Sequence, residues 1–225
     1  MSFKRIIFDF NGVLWWDDDL QTQSWQSCAV VLRGSPLSED ELIGHMRGRT
    51  NGDILSYLTG RDVVGEELLA LTDNKESVYR QRCLAQGEGF TLSPGAVDLF
   101  DSLIDSAIPR TIATSSERTN LNFFIEHLHL RRWFDESAIS YDDGTFNGKP
   151  APDIYLRAAA NLNLDPADCI VVEDARSGIE SAHAAGIGHI VAIGPRSRHE
   201  MLRLFPGVSE VIENLGQIRR ELFRT

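Results

Sequence analysis

Cysteine is scarce in this chain of 225 residues, and the three present, Cys28, Cys83 and Cys169, form no CxxC pair and are odd in number. A disulfide framework or a thiolate metal site would need paired spacings. Cys169 opens an apolar stretch, so it reads as a small buried hydrophobe, not as a ligand or nucleophile. Such usage fits a reducing, cytoplasmic compartment. Long apolar runs are missing as well: none approaches the roughly 18 residues of a membrane span. The opening Met1-Ser2-Phe3-Lys4-Arg5 leads straight into a strand-like run and is expected to belong to the fold, not to a signal peptide. Positive charge is short too. With 22 Lys and Arg against 33 Asp and Glu the formal charge is −11, which argues against a nucleic-acid partner, since that wants a basic face. A small anionic substrate stays open, because charge near a site and any bound metal decide its affinity. Lysine is limited to Lys4, Lys75 and Lys149, and the six histidines show no metal-ligand spacing. No internal repeat or low-complexity tract is visible.

What is present is an ordinary globular composition, 42% hydrophobic and 24% charged. Strand-like runs occur at Lys4–Phe8, Arg110–Ala113, Cys169–Val172 and His189–Ile193, with shorter ones near Ala138–Tyr141 and Glu210–Ile212. Helical patterns fall between them at Gly95–Ser106, Arg118–His127, Asp153–Leu162 and Gly178–Ala185. Strands alternating with helices predict a parallel sheet covered on both faces. Ser93 before Pro94 reads as a helix cap, and Ala185-Gly186 as a helix end with a left-handed Gly. Residues 16–87 break the rhythm. They hold no strand-like run but have helix-spaced apolar residues at Leu42–Met46, Asp53–Leu58, Glu66–Leu71 and Lys75–Leu84. Gln86-Gly87-Glu88-Gly89 reads as the hinge back. The chain therefore divides into a core of residues 1–15 and 88–225 and a helical insertion of residues 16–87.

Four features stand at expected strand ends, where open parallel sheets bind ligands. Asp9 follows the first strand and precedes Gly12. Thr114, with the Ser115 that follows, offers a hydroxyl and turn amides to a phosphoryl oxygen. Lys149, in Gly148-Lys149-Pro150-Ala151-Pro152-Asp153, offers a cation on a restricted backbone. Glu173-Asp174 offers adjacent carboxylates that suit Mg²⁺. Alone, each has an ordinary reading: a turn Asp, a capping Thr, a solvated Lys, a capped loop. Their order along the chain is what makes a signal.

Asp9-Phe10-Asn11-Gly12-Val13 resembles the first motif of the haloacid dehalogenase superfamily, Asp-x-Asp-Gly-[Thr/Val], and the three later features resemble its other motifs. Leu92–Val97, Lys149–Tyr155 and Glu173–Glu180 with Ala184–Ile187 look like the subfamily of β-phosphoglucomutase and phosphoglycolate phosphatase. The likeness covers the core. It is weaker over the insertion, where Arg47-Gly48-Arg49-Thr50 matches a Gly-x-[Ser/Thr] element. The resemblance implies an α/β fold, a Rossmann-like parallel-sheet core with an inserted α-helical cap domain. It also implies a Mg²⁺-dependent phosphatase of a small phosphorylated metabolite, acting as a monomer or homodimer. Asp9 would be the nucleophile and form an aspartyl phosphate. The metal would be held by the Asp9 carboxylate, the Asn11 main-chain carbonyl and Asp174, with Glu173 nearby or bound. Lys149, Thr114 and the amides near Ser115 would stabilise the phosphoryl oxygens, and Gln21 and Arg49 would face substrate.

Asn11 departs from the motif, whose second Asp is the proton shuttle. An amide can hold a hydrogen bond but cannot move a proton, and losing acid–base help costs about 10²–10⁴-fold. Three explanations stay open: an engineered trap, a natural hydrolase with its proton supplied elsewhere, or drift toward a phosphometabolite-binding protein without efficient turnover. Trp16 stands where these sequences usually have Asp, and Gln21 where the mutase has His, which weighs against mutase activity. Asp17-Asp18-Asp19 is placed at a helix N-terminus, where carboxylates suit the dipole, ahead of metal binding. Trp15, Trp16 and Trp25 are expected to pack between cap and core more than to wall a pocket. Arg47 and Arg49 either meet a second anionic group or sit solvated. Dehalogenation at carbon is disfavoured by Asn11 and Glu173-Asp174, and a Schiff base on Lys75, the one cap lysine, carries little weight.

Overall fold

The computed structural model describes residues 5–223; Lys4, placed in the first strand above, lies outside them. Six strands form one parallel sheet in the order β3-β2-β1-β4-β5-β6. They are β1 (Arg5–Phe8), β2 (Arg110–Glu117), β3 (Ser140–Asp142), β4 (Cys169–Glu173), β5 (His189–Ile193) and β6 (Val208–Ile212). Among the described residues the α-helices are α1 (Asp18–Arg33), α2 (Glu39–Glu41), α3 (Asn51–Thr59), α4 (Gly65–Leu84), α5 (Ala96–Asp105), α6 (Arg118–His127), α7 (Asp153–Asn161), α8 (Arg176–Ala184) and α9 (His199–Leu202).

The sheet forms because its strands are apolar on both faces, as a doubly covered parallel sheet requires. Ile6 and Phe8 join Ile170, Val172 and Val191 in a cluster with Phe100 of α5 and Phe124 of α6. Ile7 points the other way, with Ala113, Val171 and Ile190, against Tyr155 of α7 and Ile179 of α8. Strand order reverses at β1: the chain runs outward to β2 and β3 on one side and to β4, β5 and β6 on the other. The register pairs Phe8 with Ile112 on β2 and with Val172 on β4. The residues just beyond therefore meet in the crevice of a switch point.

Between β1 and β2 lies a helical unit with a separate apolar cluster of Trp25, Ala29, Leu37, Met46, Ile54, Leu55, Leu58 and Val63. Several local expectations differ here. α1 runs for 16 residues, though only its acidic start is legible, because its apolar face is narrow. Glu66–Leu71 and Lys75–Leu84 are one continuous 20-residue helix, since the intervening Thr72-Asp73-Asn74 lacks the Gly or Pro that would stop it. Leu42–Met46 is a wide π turn.

In the core, Ser93 is not a helix cap. Its hydroxyl donates to the Val13 carbonyl at 2.6 Å, and α5 starts after Gly95, whose φ is 81°. Only Gly serves there, because a Cβ would strike the Gly216 backbone. Gly186 does take the left-handed conformation, at φ 75°. β2 continues past Ala113 to Glu117 with a register break between Thr114 and Glu117, so Ser115 and Ser116 lie in an irregular strand end and not in a following turn. Among the described residues no helix is long and apolar enough to cross a membrane.

Candidate active site

Asp9 follows β1 directly, its amide donating to the Val172 carbonyl at 3.0 Å. Its Oδ1 accepts from Lys149 Nζ at 2.6 Å. Lys149 is not at a strand end as the sequence reading has it. It sits in the loop before α7, which folds back so that the ammonium, 1% exposed, lies between Asp9 and Glu173. Burial works against that charge, but Asp9 and Glu173 outweigh it and raise the lysine above its usual range. Lys149 is a fixed cation.

Glu173 and Asp174 share a strand end yet differ in use. Glu173 accepts from Lys149 and from the Tyr155 hydroxyl on Oε1, and from the Asp174 and Ala175 amides on Oε2. Its lone pairs are taken, and Gly178 leaves room for it, since a Cβ there would collide with the carboxylate. No hydrogen bond among the described residues reaches the Asp174 carboxylate. Gly12, at φ 79°, makes space for that group in the same way. The acidic oxygens of Asp9, Glu173 and Asp174 lie within 4.8 Å of one another.

Three buried carboxylates face one ammonium, which leaves two negative charges without a partner in the group. Burial, partly opposed by Lys149 and reinforced by Glu173, pushes Asp9 up to about 7. Burial, with Glu173, Asp18 and Asp9 adding to it, pushes Asp174 well above the carboxylate range. The main-chain carbonyl of Asn11, two residues after Asp9, accepts no hydrogen bond among the described residues. An excess of buried negative charge with unsatisfied hard oxygen donors fits a divalent cation such as Mg²⁺.

Asn11 is gripped on both sides. Its Nδ2 donates to Asp17 Oδ2 at 2.7 Å and to the Tyr79 hydroxyl at 3.2 Å, while Ser116 Oγ donates to its Oδ1 at 2.9 Å. The Tyr79 hydroxyl also donates to Asp17. Asp17 precedes α1, as expected, but its side chain caps nothing in that helix. It is 2% exposed and turned toward Asn11 and the Gly12 amide. Burial pushes it up to about 6 against the hydrogen bonds from Tyr79 and Asn11. Sequence reasoning missed this residue as part of the site. An acidic run before a helix looks like dipole compensation, and no pattern marks which of three carboxylates turns inward.

Asp9, Asn11, Asp17, Ser116 and Asp174 line a cavity of about 100 Å³ that reaches into the helical unit, and Lys149 and Glu173 are buried against Asp9. Thr114, 1% exposed, accepts from the Ser116 amide at 3.1 Å; it is not a helix cap. Ser115 Oγ donates to the Gly48 carbonyl at 3.1 Å, Ser177 Oγ to the Arg47 carbonyl at 2.9 Å, and Arg49 Nη1 to the Lys149 carbonyl at 3.1 Å. The turn Arg47–Thr50 thus docks on three core segments over the cavity. Arg47 is also paired with Asp18 at 3.3 Å. Gln21 lines the cavity and accepts from Lys75 Nζ at 2.8 Å. Trp15 packs in the core against Phe90, while Trp16 is 48% exposed and lines a second cavity with Gly12, Asp17 and Asp174. Trp25 both packs in the helical cluster and walls the cavity.

Residues 3–186 match the family model for haloacid dehalogenase-like hydrolases. The chain is 39% identical over 186 residues to the fructose-1-phosphate phosphatase YqaB of Escherichia coli, covering 82% of this chain and 94% of that protein. It is 35% identical over 158 residues to a bifunctional riboflavin kinase/FMN phosphatase of Arabidopsis thaliana. That match takes in 69% of this chain but only 40% of the longer plant protein. Among solved structures, a HAD hydrolase of family IA, variant 3, from Entamoeba histolytica superposes with a TM-score of 0.85 at 37% identity, covering 99% of this chain and 97% of that one.

The raised Asp17 has a thermodynamic signature. Its ordinary value is 3.8 and its value in the fold about 6. Between those values the native state keeps a proton that the unfolded chain releases, so stability falls as pH rises through the window. In EDTA, Asp17→Asn should remove about 2–3 kcal/mol of that fall, read as a shallower loss of denaturation free energy between about pH 4 and pH 6. Equal slopes for the two proteins would contradict the buried, ionisable Asp17.

Proposed function

The chain belongs to the haloacid dehalogenase-like hydrolases, and from that membership we propose that it is a Mg²⁺-dependent phosphatase of a small phosphorylated metabolite. The observation that carries this reading is the meeting of Asp9 and Asp174 in one cavity at the switch point, with Lys149 and Glu173 buried against Asp9. Phosphatase activity in the Escherichia coli relative supports it.

In this reading an Asp9 carboxylate oxygen attacks phosphorus in line, a P–O bond forms, and the ester oxygen leaves with the electrons of the broken bond. Water then attacks phosphorus of the aspartyl phosphate and frees Asp9. Lys149 holds the carboxylate of Asp9 in place, and with the Thr114 hydroxyl and the amides near Ser115 it stabilises the phosphoryl oxygens. Asp9, Asp174 and the Asn11 carbonyl would hold Mg²⁺, with Glu173 behind them anchoring Lys149. The ion would supply positive charge to the phosphoryl group. Residues 16–87 serve as a cap that excludes water, and they bring Gln21 and Arg49 to the substrate.

Asn11 has no proton to transfer, so turnover is attenuated relative to a site with a carboxyl at that position. Asp17 keeps a carboxyl on the far side of the Asn11 amide. That arrangement favours a native enzyme over a stalled one, because the amide meets a partner on every side; Asp17 orients Asn11, and the leaving oxygen takes its proton from water.

Phosphate release from a panel of phosphomonoesters is expected with Mg²⁺ and is expected to vanish with EDTA or in Asp9→Asn. Turnover that survives both would contradict the reading. The position of the acid has its own test. Asn11→Asp alone sets two carboxylates against each other, but Asn11→Asp with Asp17→Asn keeps the hydrogen-bonded pair and moves the carboxyl to position 11. The double variant should gain about 10²-fold in kcat; an unchanged kcat would mean Asn11 does not limit turnover.

A further inference from the structure

Asp174 faces two cavities. The second, of about 410 Å³, lies between the start of α1 and the loop after β5, and Asp17, Asp18 and Asp174 line it as well as the first. Asp19, Glu213 and Arg198 complete its polar lining, with Trp15 and Trp16 as an aromatic wall. Five carboxylates there meet one base, and that base is already engaged. Arg198 lies 4.0 Å from Asp18, and its Nη2 donates to the Asp174 carbonyl at 3.2 Å. Asp19 and Glu213 pair with no base among the described residues.

The first cavity is built differently. It is about 100 Å³, and Arg47, Arg49 and Lys75 enter its lining. The turn that carries the two arginines is tied to the core through Ser115, Ser177 and the Lys149 carbonyl. At about 30 Å³ per water, a cation with six waters fills roughly 180 Å³. That is more than the first cavity offers and less than half of the second. Gly12 keeps the second cavity open toward Asp174, since a Cβ there would come within 2.5 Å of the carboxylate. The Asp174 side chain accepts no hydrogen bond among the described residues although the residue is 7% exposed. A cleft lined by charge of one sign concentrates ions of the other.

We propose that the second cavity is the entry route of the divalent cation to Asp174, while the anionic substrate enters beneath the arginine turn. This rests on the Mg²⁺-dependent reading of the site and goes beyond it in giving cation and substrate separate approaches. Asp17, Asp18 and Asp174 stand between the two. The cation therefore exchanges without the helical unit lifting from the core.

The route is read from association kinetics, not from turnover. Tb³⁺, a hard cation that takes oxygen ligands, is the probe, because tryptophans in the cavity wall sensitise its luminescence. Stopped-flow mixing gives kon and a chase with EDTA gives koff, each variant being checked for folding by circular dichroism. Asp19→Asn with Glu213→Gln should lower kon about fivefold at roughly 10 mM ionic strength, where the Debye length is about 30 Å. The loss should shrink below about twofold at roughly 1 M, where that length is about 3 Å. Over the same series koff should hold within about twofold, because a rim charge acts on encounter. Arg49→Gln, which removes positive charge from the first cavity, should leave kon within about twofold. A kon that the acidic pair leaves unchanged, a kon raised further by Arg49→Gln, or a loss confined to koff overturns the proposal. Tb³⁺ binding that still needs Asp174 would then keep the metal reading. No Tb³⁺ binding, or luminescence that survives Asp174→Asn, overturns both.

Discussion

A single buried ammonium organises this molecule. Lys149 lies without solvent between Asp9 from the end of β1 and Glu173 from the end of β4, and it binds together three segments that are far apart in sequence. The cost of burying it is met only because both carboxylates are in place. Those carboxylates are themselves fixed: Asp9 by its strand, Glu173 by Tyr155 and two amides. The same arrangement leaves Asp174 and the Asn11 carbonyl unsatisfied, with negative charge in excess. In the proposed reaction, attack at phosphorus would come from Asp9, neutralisation of the phosphoryl oxygens from Lys149, and affinity for a hard cation from that imbalance.

The second constraint is local to Asn11. A carboxyl at this position would face Asp17 across 2.7 Å, and two like charges at that distance cannot both ionise in a buried site. The amide removes the conflict, and the surrounding groups complement it: acceptors at Asp17 and Tyr79 meet its Nδ2, and the Ser116 donor meets its Oδ1. The position that looks like a lost function in the motif is, in the fold, a fully bonded part of the site. Loss and fit are compatible, because proton transfer and hydrogen bonding make different demands on one side chain.

The sheet and the rim that carries the candidate site were legible because buried parallel strands leave unbroken apolar runs, and Asp9, Thr114 and Glu173-Asp174 each adjoin one. Lys149 was legible as a residue but not as a place, since its loop reaches the site from well beyond β3. The helical unit was readable as helical, but the boundaries of its helices were not. α4 passes through Thr72-Asp73-Asn74 without a break, because nothing in that stretch stops a helix. Asp17, Ser116 and Tyr79 were out of reach for one shared reason: their significance lies in which buried neighbour they face, and that is settled by how α1 and α4 lie over the sheet.

The central claim is that Asp9, steadied by Lys149, becomes covalently phosphorylated. Rapid quenching of the protein during turnover of a phosphomonoester with Mg²⁺, followed by mass spectrometry of the peptide that contains Asp9, tests it most directly. The account predicts a phosphate adduct on Asp9 that forms within the first turnover and is absent in Asp9→Asn. Steady phosphate release with no adduct on Asp9 at any quench time would contradict it.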